Sequence, residues 1–254
     1  MNITFSSTLR LILRIRPLAI AILERESAYK CWDHLDESLS GFCSHFDLDA
    51  DSVLNRIANL PQAEAGTDWA AKPLYYLIDH LTQNHADFRE KEMPAIADML
   101  EAARLPAFPD GYLVKLLVQE FQYFRWEFLK HMDEEETFLF PKIMRNEACF
   151  RHPEMGPEAY KGSVNLYLKL ETHKPEVEFK RMITSIREKL RNQLPHRPAA
   201  ELAEKARAAL ESFEKRLLAH ADLETDVLFP RAGRLEQERY EGSATGLSRF
   251  PGDQ

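Results

Sequence analysis

The sequence predicts an all-α protein, an up-down four-helix bundle preceded by a small helical domain. Four amphipathic stretches, at roughly 73–104, 110–146, 162–193 and 198–231, carry apolar residues at helical spacing. Turn-forming segments separate them: LPAFPDG, the HPEMGP region and LPHRP. No stretch alternates apolar and polar residues in the manner of a strand hairpin. At about 1.5 Å per residue each stretch makes a helix roughly 45 Å long, and mostly short connections favour antiparallel neighbours.

The elements follow in order. Residues 1–60 read as a small helical domain in which Leu9, Leu11 and Ile12 recur at helical spacing and Pro17 opens the next helix. In the same domain DLDADSVLNRIANL begins with helix-capping residues. Residues 61–72 form a linker, because PQAEAGTDW mixes Pro, Gly, Ala and acids without apolar periodicity. The bundle occupies 73–232. Residues 233–254 read as a flexible tail that ends in EGSATGLSRFPGDQ, with little to bury.

Composition narrows the function. With 33 basic against 41 acidic side chains the chain carries a net charge of −8, which disfavours long-range attraction to a phosphate backbone and so excludes nucleic acid as a partner. The three cysteines, Cys31, Cys43 and Cys149, show no C-x-x-C spacing and suggest neither a disulfide framework nor a thiolate metal site. A reducing cytoplasm fits that usage. Arg10, Arg14 and Arg16 interrupt the apolar start and leave LAIAIL as its longest clean run, too short to span a bilayer. The first 23 residues hold Ser, Thr and Arg but no acid, so an organellar transit peptide is the competing reading of that segment.

The chemistry lies in an internal repeat. Residues 131–141 read HMDEEETFLFP and residues 220–230 read HADLETDVLFP, which match at His, Asp, Glu, Leu, Phe and Pro. The copies are 89 residues apart, and His85 and His173 on the preceding helices are 88 apart, as expected of a duplicated helix pair. Each copy sets a His and a Glu at i and i+4, His131 with Glu135 and His220 with Glu224, on one helix face about one turn apart. In an antiparallel bundle His85 and His173 can share their layer, giving four imidazoles and two carboxylates.

That donor set, with nitrogen and oxygen and no thiolate, disfavours Mg and Ca and suits iron, and bundle interiors are where carboxylate di-iron sites are built. If both glutamates bridge, two six-coordinate irons offer twelve positions. Four are filled by His, four by carboxylate oxygens and two by one shared oxo or hydroxo group, which leaves one open position on each iron for a diatomic ligand or for iron exchange. The bland alternative is that each His and Glu is an ordinary core or surface residue; the doubled motif argues against it. Phe140 and Phe229 read as core residues, with Pro141 and Pro230 as kinks or stops near the helix end.

The other titratable groups are placed by spacing. His80 falls about 140° around the helix from His85 and is not assigned as a ligand. His34, His45, His152 and His196 lack the repeat relation and read as ordinary solvated or capping histidines. Glu127, one turn before His131, is either an outer acid or proton carrier for the site or a partner in a structural pair. No catalytic residue is assigned.

The residues of this repeat resemble those of hemerythrin-like cation-binding domains, and over roughly 8–232 the chain is similar to the bacterial iron–sulfur cluster repair di-iron proteins. The resemblance implies a non-haem di-iron centre with His85 and His131 on one iron, His173 and His220 on the other, and Glu135 and Glu224 as bridges. Oxygen-carrying hemerythrins use a fifth His, which this repeat does not supply. The N-terminal domain is similar in TLRLILRIRPLAIAILERESAYKCW and in its closing LD-x-D-x-VLNRI stretch, but where the family has adjacent cysteines followed by glycines this chain has CWDH. Cys31 therefore stands alone, and it and Cys43 read as small structural residues. Pro175, two residues after His173, removes one helical hydrogen bond, and Thr172 stands where the family often has an acid.

The resemblance implies a stress-response protein that repairs iron–sulfur clusters by donating iron, or handles nitric oxide, with damaged iron–sulfur proteins and NO or O2 as partners. Two other readings stay open: a module that binds or senses O2 or NO without turnover, and a di-iron NO reductase or peroxidase. No membrane association is expected, and homodimerisation through the N-terminal domain is left open.

Overall fold

The computed structural model describes residues 3–28, 30–60, 68–104, 111–152, 175–193 and 200–246. The chain is all-α. Among the described residues, eleven α-helices run α1 Leu9–Ile15, α2 Ile20–Glu26, α3 Leu39–His45, α4 Ala50–Ala58, α5 Leu74–Asp87, α6 Met93–Arg104, α7 Gly111–Glu134, α8 Phe140–Arg151, α9 Pro175–Gln193, α10 Ala200–Asp222 and α11 Phe229–Gly246. Among the described residues the sole β feature is an isolated bridge between Thr8 and Ser38. No described helix is long and apolar enough to cross a membrane.

Local chemistry starts the short helices. Thr8 accepts from the Leu11 amide at 3.2 Å, Ser38 from Gly41 at 3.1 Å and Asp49 from Asp51 at 3.0 Å, each satisfying one amide that a helix start leaves without an intrahelical partner. Pro17 begins a 3₁₀ turn that leads into α2, where its fixed φ and missing N–H cost nothing.

The long stretches pass through their internal prolines. Pro94, Pro141 and Pro230 each lie just after a π-helical turn, at Phe88–Glu92, Glu135–Leu139 and Leu223–Leu228, and the helix continues beyond all three. Proline has no N–H to give and its ring crowds the carbonyl four residues back, here within the wide turn in every case. A turn with i→i+5 bonding widens the backbone at that point and lets the helix pass. Pro141 and Pro230 are thus not stops. The last helix also runs to Gly246, well into the segment read as tail, because Ala232 and Glu236, one turn apart, are buried. Residues 61–67 of the linker and 247–254 of the tail lie outside the described residues.

The chain divides into two compact units. One contains Gln83–Glu134 and Leu170–Thr225; there α6 packs on α7, α7 on α9, α9 on α10 and α10 back on α6, a closed ring of four helices. Its core is aromatic: Phe88, Phe121, Phe124, Phe128 and Phe213 are each at most 2% exposed. Phe128 lies 5.2–6.2 Å, centroid to centroid, from Phe88, Phe124, Phe179 and Phe213, mostly edge-on or tilted, as ring quadrupoles prefer.

The other unit contains Met1–Thr82, Glu135–Lys169 and Asp226–Gln254. Here α1 packs on α8 and on the wide turn before it. Arg14 Nε donates to Glu136 Oε2 at 2.8 Å with the carboxylate almost wholly buried, and the Leu74 amide at the start of α5 donates to Glu147 Oε1 at 2.7 Å. Arg231 of α11 donates to the carbonyls of Trp69 and Lys72. Buried Glu24 accepts from Trp32 Nε1 at 3.3 Å and lies 3.8 Å from Arg151.

Cys31, Cys43 and Cys149 are all buried free thiols. Burial, followed by the charge of Glu24, pushes the Cys31 thiol up to about 12, so it carries almost no thiolate at neutral pH. Native protein is expected to react with iodoacetamide at Cys31 at least about 100-fold more slowly than the same protein in denaturant, read by mass spectrometry of the modified peptide. Native alkylation as fast as that of a free thiol would contradict this account.

Candidate metal centre

The site is built by helix periodicity on α5 and α10. His85 lies near the end of α5, His220 near the end of α10, and Glu224 follows one turn after His220 in the wide turn. His85 Nε2 and His220 Nε2 are 3.0 Å apart, and His220 Nε2 is 3.1 Å from Glu224 Oε1. The three side chains are at most 3% exposed, and their ligating atoms lie within 4.8 Å of one another.

This donor set fits a metal ion on its own chemistry. Two nitrogens, each about 2.0–2.2 Å from one ion, stand roughly 3 Å apart, which is the separation the two Nε2 atoms already have. His220 Nδ1 is buried and has no hydrogen-bond partner among the described residues. A carboxylate as buried as that of Glu224 is costly unless a cation accompanies it, and no thiol belongs to the group. Imidazole with carboxylate suits iron or zinc rather than Mg or Ca.

His131 flanks the pair without belonging to the tightest group. Its ring lies 6.3 Å from Phe128, nearly parallel, and 5.5 Å from Phe179. Burial, followed by the nearby charges of His85 and His220, lowers its pKa to about 3. Burial, followed by Arg216, lowers His220 to about 3 as well. Both imidazoles are therefore neutral, with lone pairs available to a metal, across the physiological range. Glu135 opens the wide turn one helical turn beyond His131 and is 4% exposed. His173 lies outside the described residues, as do Thr172 and His196.

The remaining candidates fall elsewhere. His80 packs its ring on Trp69 at 5.1 Å. Glu127 lies beside the exposed Tyr123 one turn earlier on α7, and its carboxylate raises the pKa of that phenol. Spacing did not disclose Arg216, which lies one turn before His220 and reaches across to α5 and its wide turn. Its guanidinium pairs with Glu92 and with Asp87 at 3.3 Å, and lies 5.3 Å from the Phe88 ring centroid. It thereby clamps the helices that carry His85 and His220. An arginine in an amphipathic stretch gives no sequence signal for such a bridge, since the pairing depends on the register between helices.

The two depressed histidines contribute to the acid response of the metal-free protein. In the unfolded chain both bind a proton near pH 6.5, whereas in the fold they stay neutral to about pH 3, so the unfolded state holds more protons between these limits. The contribution of these two histidines to stability is whole above pH 6.5 and is lost as pH drops towards 3. Metal-free protein is expected to melt at lower temperature at pH 5 than at pH 7, and iron-loaded protein to show a smaller difference, by circular dichroism. Equal melting temperatures for the metal-free form at the two pH values would contradict these environments.

No family model matches the chain. The chain is similar to proteins named iron-sulfur cluster repair protein YtfE from Escherichia coli O1:K1, Escherichia fergusonii and Salmonella typhimurium. Each is 26% identical over 203 residues, covering 77% of this chain and 83% of the relative.

Proposed function

Because the chain is a distant relative of the iron–sulfur cluster repair proteins, we propose that it is a non-haem di-iron protein that repairs iron–sulfur clusters under nitrosative or oxidative stress. The proposed ligands are His85, His131, Glu135, His173, His220 and Glu224. The observation that carries the reading is the buried convergence of His85, His220 and Glu224 on 3.0–3.1 Å contacts, at one copy of a His-x-x-x-Glu motif that the sequence doubles. Iron held there would supply open positions for a diatomic ligand such as nitric oxide, and iron to donate to a damaged cluster.

The chain's own groups prepare the site for that task. Burial keeps His131 and His220 unprotonated, so no proton has to leave before they ligate. The Arg216 bridge holds α10 against the α5 segment. The wide turns place Glu135 and Glu224 where the backbone departs from α geometry, which supplies a way to adjust the carboxylates without moving whole helices. The buried, protonated Cys31 thiol supports a reading in which the N-terminal helices contribute packing rather than thiol chemistry.

Metal analysis and an absorption spectrum of aerobically purified protein test the cofactor; about two irons per chain with oxo-bridge charge-transfer bands are expected. Restoration of activity to a nitric oxide-damaged cluster enzyme by iron-loaded protein tests the repair role. Iron-loaded protein that keeps its metal and restores nothing would overturn that role.

A further inference from the structure

Residues 31–55 contain six acidic residues and no lysine or arginine, and they hold two of the nine histidines, His34 and His45. The structure assigns a second metal site to this segment, formed by His34, Glu37 and His45 and suited to a zinc-like divalent transition-metal ion.

The three side chains come from one turn and one helix end. His34 Nδ1 is 2.8 Å from Glu37 Oε1, and the rings of His34 and His45 are 4.4 Å apart between centroids. One ligating atom from each of the three lies within 4.8 Å of those from the other two. An ion bound about 2.0–2.2 Å from a nitrogen and an oxygen holds them roughly 3 Å apart, so the His34–Glu37 pair needs to open only slightly. Two imidazoles and a carboxylate are the donor set of open zinc sites, where water completes the tetrahedron. The absence of a thiol and the single carboxylate disfavour Cu(I) and Ca.

The frame around the donors is rigid. The carbonyls of Leu35 and Glu37 accept from the amides of Arg10 and Leu9 at 2.8 and 3.0 Å, and the Glu37 amide donates to the His34 carbonyl at 2.9 Å. At the other end, Phe46 bonds back to Phe42 at 3.1 Å and Leu48 to Cys43 at 2.8 Å, which fixes the end of α3 at His45. Phe46 lies edge-on to the His34 ring at 5.1 Å and tilted on His45 at 4.9 Å, so it walls both imidazoles. Ring orientation is thus held by packing, as a preorganised metal site requires. His34 is 15% and Glu37 41% exposed at the side chain, and His45 is exposed, so an ion reaches the donors directly from solvent. Of the six acids in this run, Asp36 pairs with Arg10 and Asp33 with Arg145, while Glu37 faces His34.

An isolated His34–Glu37 hydrogen bond would explain that pair alone, but not a second imidazole against the first. The test uses full-length protein already loaded with iron, so that zinc uptake at this site is read apart from the proposed iron ligands. In equilibrium dialysis with zinc, wild type is expected to take up one further equivalent per chain. His45→Gln and the double variant His34→Ala/His45→Ala are expected to lose it, and Glu37→Gln to weaken it by at least about 10-fold, all with iron content unchanged. His45 is exposed, so its replacement leaves the fold intact. X-ray absorption at the zinc edge of wild type is expected to show nitrogen and oxygen neighbours at about 2.0–2.2 Å. Zinc uptake that is equal in wild type and variants, no uptake by wild type, or sulfur at about 2.3 Å would overturn the assignment.

Discussion

His220→Ala is expected to strip the chain of most of its iron, lowering affinity by at least about 10-fold, because it removes the imidazole that touches both His85 and Glu224. The nitrogen at 3.0 Å from His85 and 3.1 Å from Glu224 disappears, and the carboxylate is left 1% exposed beside one fewer donor. Glu224→Gln, nearly the same in size, is expected to lower iron content too, since it removes the charge that offsets the cation. His80→Ala is the control: the same residue type, on the helix that carries His85, but with its ring packed on Trp69. Iron per chain by plasma emission spectroscopy, with circular dichroism to verify folding, decides between them. Wild-type iron in His220→Ala would show that the group does not hold the metal.

Much of this centre was legible in the sequence because a His and a Glu four residues apart must share a helix face. Burial and the 3.0 Å approach of His85 to His220 follow only once the helices pack: the 88- and 89-residue offsets relate His85 to His173 and His131 to His220, and neither offset joins His85 to His220. The four long segments were legible for the same reason: apolar residues recur with the helical period. The wide turns were not. Whether a helix stops or swells at proline depends on where one backbone carbonyl goes, and neither hydropathy nor spacing encodes that. Of the two outcomes expected at Pro141 and Pro230, a kink or a stop, the stop does not occur: α8 and α11 continue past them.

The Arg216 bridge and the meeting of His34 with His45 were hidden for a different reason. Each joins residues whose separation carries no period, 124 residues for Arg216 and Glu92 and eleven for the two histidines, so only the packed backbone brings them together. Spacing placed Glu127 on the His131 face but could not say which neighbour it would choose. The exposed Tyr123 phenol one turn earlier is one such neighbour. Local competition of this kind is decided by rotamers and solvent rather than by pattern.

Phe128→Ala is expected to cost about 3–5 kcal/mol of stability, the range for emptying a large aromatic site in a core that cannot collapse around it. Phe128 is 2% exposed and packs among Phe88, Phe124, Phe179 and Phe213, which come from four different segments of the ring of helices. Few neighbours can move in without breaking another aromatic contact. Tyr123→Ala on the same helix, 57% exposed, is expected to change stability by no more than about 0.5 kcal/mol, as surface replacements usually do. Denaturant midpoints at pH 7 measure both. The same ring also lies against His131, so the larger loss carries a second signature: iron affinity should fall although no proposed ligand has been touched. A Phe128→Ala protein within about 1 kcal/mol of wild type would mean that the aromatic core yields more readily than its packing implies. Full iron retention in a destabilised Phe128→Ala protein would separate core packing from the metal centre.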